Sequence, residues 1–109
     1  MIVFGLNSSD LESIAPVLEA ALNVRLMPRE GYFHGGNYYS AETAGGTIRL
    51  QYNRDIFSGK IGPIVRDWPV DRLVLSFEGS DDTSWELYLS ALSQLSDLQP
   101  TRLAPQSAG

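Results

Sequence analysis

The stretch NYYSAETAGGTIRLQYN, residues 37–53, divides into two extended arms around Ala44-Gly45-Gly46. Glycine tolerates the positive φ that tight turns require, so the segment predicts a β-hairpin. In its second arm Ile48, Leu50 and Tyr52 alternate with Arg49, Gln51 and Asn53. Successive strand residues point to opposite faces, so one face is apolar and the other polar. That is the pattern of an antiparallel sheet with one side on a core and the other solvated or facing a partner. In the first arm Tyr38 and Tyr39 must project to opposite faces, and which of them faces outward stays open.

Outward from the hairpin, Ile2, Phe4 and Leu6 alternate near the N-terminus, and Leu73, Leu75 and Phe77 alternate more clearly still. Both segments predict strands. VRLMPRE, residues 24–30, reads as a short strand or an extended crossing, with Pro28 confining any pairing to a sheet edge. Leu11, Ile14, Leu18, Ala21 and Leu22 recur at helical spacing after Ser9-Asp10-Leu11-Glu12, a capping-box pattern, and predict a helix to about Asn23. Pro16 either kinks that helix or sits in the first turn of a shorter one; the unbroken apolar stripe favours the kink. A second capping box, Thr83 to Glu86, precedes the stripe Trp85, Tyr88, Leu89, Leu92 and Leu95, predicting a helix to about Leu98. Residues 54–70 read as a long surface connection with room for one helical turn, and 99–109 as a frayed tail. The expected fold is an α+β two-layer sandwich: a single domain over 1–98, its antiparallel sheet of four or five strands packed on one face by two helices.

Composition limits the function classes. Of 109 residues, 8 are Lys or Arg and 13 are Asp or Glu, a formal charge of -5, which disfavours direct contact with a phosphate backbone. Between Arg72 and Arg102 no basic residue occurs, whereas Glu78, Asp81, Asp82, Glu86 and Asp97 do. The absence of cysteine removes disulfides, thiolate metal sites and cysteine nucleophiles. No apolar run is long enough to span a bilayer, and no basic start precedes the apolar N-terminal segment, so neither a membrane span nor a secretory signal is expected.

Chemistry-bearing motifs are sparse. His34 is the sole histidine, and the remaining donors show no metal-ligand spacing. Gly31, Gly35 and Gly36 match neither nucleotide-binding glycine pattern. No serine lies in G-x-S-x-G. Asp81 and Asp82 are adjacent, so they point in different directions and suit a helix start better than paired acid/base work. Neither a catalytic group, a cofactor nor a metal is expected.

Three segments together carry a resemblance: G-G-x-Y-Y at Gly35–Tyr39, I-R-L-Q-Y-N at Ile48–Asn53, and W-P-V-x-x-L-V-L-S-F-E-G at Trp68–Gly79. In that order they resemble small single-domain immunity proteins of bacterial polymorphic-toxin and contact-dependent growth-inhibition systems, over roughly residues 17–95. The resemblance implies a cytoplasmic, non-enzymatic inhibitor that binds a cognate toxin domain and blocks its active site or substrate surface. Such toxins are frequently basic nucleases, and an acidic inhibitor would meet one with complementary potential. The expected contacts lie on the polar sheet face, at Tyr39, Arg49, Gln51 and Asn53, with Glu78, Asp81 and Asp82 as steering charges. The chain itself is expected to be a monomer or a weak homodimer. The competing reading is a small ligand-binding or regulatory α+β domain, in a homodimer or alone, using a groove between sheet and helices.

Overall fold

A computed structural model describes residues 1–31, 36–57, 60–79 and 81–103, with side chains described for all of these except 55–57, 60–62 and Asp82. The hairpin forms as the glycines require. β3 (Gly36–Thr43) and β4 (Gly46–Tyr52) pair antiparallel with Thr43 opposite Gly46, leaving Ala44 and Gly45 as a two-residue loop. Gly46 has φ 139°, and a Cβ there would collide with the Glu78 carbonyl, so both conformation and space demand glycine. The Thr43 hydroxyl fixes the turn by donating to the Gly46 carbonyl (3.0 Å) and accepting from the Gly45 N–H (3.2 Å).

Around this hairpin the sheet grows to six antiparallel strands in the order β2-β3-β4-β7-β1-β8. The added strands are β1 (Ile2–Leu6), β2 (Met27–Gly31), β7 (Leu73–Glu78) and β8 (Thr101–Leu103). A separate two-stranded ribbon, β5 (Asp55–Phe57) with β6 (Lys60–Gly62), occupies part of the connection expected to be irregular. The sheet therefore exceeds the four or five strands expected. The extra strand comes from the segment expected to fray, because Thr101–Leu103 finds the free edge of β1. Pro28 lies in β2, which pairs only with β3, so the proline does occupy an edge strand.

One face of the sheet carries Ile2, Leu6, Ala41, Ile48, Leu50, Leu73, Leu75 and Phe77, all buried in a single cluster with Leu11, Ala15, Leu18 and Leu22 of α1 (Leu11–Leu22) and Leu92 of α2 (Glu86–Leu92). Trp85 is fully buried at the entry to α2, its ring 5.4 Å from Phe77 and 5.9 Å from Tyr88. The two-layer α+β arrangement, with both helices against one antiparallel sheet, is thus observed. α1 runs continuously across Pro16, which is exposed, and ends at Asn23 in the left-handed conformation (φ 53°).

Neither expected capping box forms. Asp10, rather than Ser9, caps α1, accepting from the Ser13 N–H (3.2 Å) and the Ser13 hydroxyl (2.7 Å), and these bonds hold its carboxyl below the usual carboxylate range. Glu12, the residue expected to complete that box, instead accepts a hydrogen bond from Tyr39. The second helix starts as a 3-10 turn over Asp82–Trp85, so its cap is Asp81, which accepts from the Thr83 N–H (3.0 Å) and hydroxyl (2.8 Å). α2 stops at Leu92, and a further 3-10 turn over Ser96–Leu98 replaces its expected last turns.

Candidate binding surface

The sheet face turned away from the helices is built differently on its two halves. Over β1 and β7 it is closed by a strap, residues 63–69, whose Ile64, Val65 and Trp68 pack on Val3, Val74 and Leu103. Trp68 lies directly over Gly5, where a Cβ would collide with the indole ring, and its Nε1 donates to the Leu73 carbonyl (3.2 Å). Asn53 pins the strap from beneath. Its Oδ1 accepts from the Val65 N–H (2.8 Å), and its Nδ2 donates to the Val65 carbonyl (2.9 Å) and the Trp68 carbonyl. Asn53 is completely buried, so these bonds satisfy groups that would otherwise be stranded away from water.

Over β2, β3 and β4 the same face carries Arg29, Tyr38, Ser40, Glu42, Thr47 and Arg49, none of them buried. The register places Met27, Ser40, Arg49, Ser76, Val3 and Leu103 in one row across all six strands. Arg49 stands at the boundary between the open and strapped halves. Its guanidinium lies 5.8 Å from the Tyr38 ring centroid, within cation–π range, and its Nη1 is 3.7 Å from a Glu78 carboxylate oxygen. The Arg49 Nε is buried and has no hydrogen-bond partner among the described residues.

The expected contact residues therefore separate into groups. Arg49 and Glu78 are brought together on the open face. Tyr39 is not there: the pairing Tyr39–Leu50 puts it on the helix face, packed against the core. Its hydroxyl donates to Glu12 Oε2 (2.8 Å), and this carboxylate raises the phenol's pKa above its ordinary 10.0. Tyr38 is the tyrosine on the open face. Gln51 is on the expected face but buried beside the strap, and Asn53 is consumed in holding it, so neither stands exposed on the open face. The physical cause is that residues expected to cross the surface irregularly carry Val65 and Trp68, apolar groups that gain by covering Val3, Gly5 and Val74. Asp81 caps a helical turn, with its pKa lowered by the Thr83 bonds, and remains exposed. Asp82 begins the same turn; its side chain, like His34, lies outside the described residues.

Two concavities adjoin this surface. An open groove of about 500 Å³ wraps the β2 edge, lined by Glu12, Pro28, Arg29, Glu30, Asn37, Tyr38 and Tyr39. A more enclosed cavity of about 80 Å³ lies between strap and sheet. Among the described residues no three His, Cys, Asp or Glu side chains gather closely enough to hold a metal ion. None of the described helices is long and apolar enough to cross a membrane. The fold and this surface define a class, a two-layer α+β domain with one sheet face half covered by its own loop. Comparisons with family models, curated proteins and solved structures found no match.

Proposed function

We propose that this chain is a bacterial immunity protein: it binds a cognate toxin domain by direct contact through the open half of its sheet and neutralises it. The observation that carries the reading is the Tyr38–Arg49–Glu78 cluster on a partly exposed sheet face. Tyrosine and arginine are the residue types that dominate binding energy at protein interfaces, and strands hold them in fixed positions, so little entropy is lost on docking. The three-segment resemblance and the charge of -5 support the same reading, the latter by favouring encounter with a basic nuclease domain in the cytoplasm. Glu78 and Asp81, both exposed near one end of β7, serve as steering charges.

The test is coexpression with the toxin-like domain encoded beside it. Growth is rescued and the two chains co-purify; failure of both overturns the assignment. In the rescued pair, Tyr38→Ala weakens binding by at least about 2 kcal/mol, the loss expected of an interface hot spot, while the melting temperature of the free chain changes little. Calorimetric titration reads the first quantity and thermal denaturation the second.

A further inference from the structure

The cavity between strap and sheet has a chemistry that the rest of the surface lacks. Val3, Val74, Ile64 and Met1 form apolar walls, and Arg49, Gln51 and Ser76 contribute polar groups. At about 80 Å³ it is far below the roughly 300–1,000 Å³ of ordinary small-molecule sites, yet it matches one side chain. Size therefore selects a residue of a protein partner over a metabolite.

Charge selects which residue. Arg49 is the one charged side chain among the described lining residues, in a chain whose net charge is -5. Its Nε is buried without a partner among the described residues, an arrangement that costs free energy until an acceptor arrives. Its one described ion-pair contact, with Glu78, is long at 3.7 Å and involves a carboxylate that is 58% exposed, so water screens it and a better-placed anion can compete. A guanidinium presents Nε and one Nη as a parallel fork that a carboxylate satisfies with two hydrogen bonds.

We propose that this cavity receives a glutamate side chain of the protein partner, its carboxylate on the Arg49 Nε/Nη fork and its methylenes against Met1 and Ile64, above the buried Val3 and Val74. Aspartate is a methylene shorter, and glutamine lacks the charge the fork requires. This inference rests on the reading of the sheet face as the docking surface and names the anchor it recognises.

The free chain is titrated with N-acetyl-glutamate amide while the arginine Nε–Hε and valine methyl resonances are followed by NMR. Saturable shifts are expected at Arg49 Nε–Hε and at the Val3 and Val74 methyls, with a dissociation constant in the millimolar range. N-acetyl-glutamine amide produces none. Arg49→Lys, which keeps the charge but loses the fork, abolishes the valine shifts while its unchanged spectrum elsewhere reports an intact fold. Absence of saturation with the glutamate probe, equal shifts with the glutamine probe, or valine shifts that persist in Arg49→Lys overturns the proposal. So does tighter binding of butyrate, which would make the cavity a site for free short-chain carboxylates. The two readings fail separately: a chain that rescues growth without a glutamate-dependent shift loses only this inference, and one that binds the probe without rescue or co-purification loses the function proposed above.

Discussion

Asn53 shows how a polar residue at the end of a strand can control a whole surface. It is fully buried and bonds to both backbone groups of Val65 and to the Trp68 carbonyl, so it ties the strap to the end of β4 by three hydrogen bonds. Asn53→Ala strands those groups and is expected to destabilise the fold by about 2–4 kcal/mol, measured as a lower urea midpoint. Tyr39 makes a second residue-scale prediction. Its raised pKa means that the Glu12 bond contributes stability in full below pH 10.0, and that this contribution is lost as pH rises through the higher folded value. Followed by phenolate absorbance, Tyr39 should titrate late, and Glu12→Gln should return it toward the ordinary range. The facing of the two tyrosines was legible from the sequence, given one more step. A two-residue turn at Ala44-Gly45 pairs Thr43 with Gly46, which forces Tyr39 opposite Leu50 and so onto the apolar face.

At the scale of elements, apolar alternation located β1, β4 and β7, because each buries a full row against the helices: Ile2–Phe77–Ile48, Phe4–Leu75–Leu50 and Leu6–Leu73–Tyr52. The caps were less legible. Ser8, Ser9 and Asp10 are all competent acceptors, and the choice of Asp10 depends on where the chain leaves β1, held by the Asn7 N–H bond to the Leu98 carbonyl. α1 also carries a cost that packing tolerates. Pro16 cannot donate to the carbonyl of Glu12, and it is exposed rather than part of the buried stripe. Pro16→Ala is expected to raise stability by up to about 3 kcal/mol, seen as a higher melting temperature with unchanged circular dichroism. An unchanged or lower melting temperature would show that the helix needs the bend a proline imposes.

At the scale of the whole molecule, the sheet closes through pieces far apart in sequence. β8 pairs with β1 across nearly the full chain, and Leu103 joins Val3 and Val74 in the cluster that Val65 of the strap covers. Ending the chain at Pro100 should therefore lower the urea midpoint and increase amide exchange in β1, which a frayed tail would not do. The sequence alone determined the hairpin at Ala44-Gly45-Gly46, the apolar faces of three central strands, both helices and the α+β class, because each follows from local periodicity and turn chemistry. The tertiary structure alone decided that Thr101–Leu103 is a strand, that Gln51 and Asn53 are buried, and that residues 63–69 cover half of the outer sheet face. Those outcomes depend on which distant segment covers which surface: Trp68 settles on Gly5 because glycine leaves room for an indole ring, and nothing in the spacing of residues 5 and 68 announces that fit.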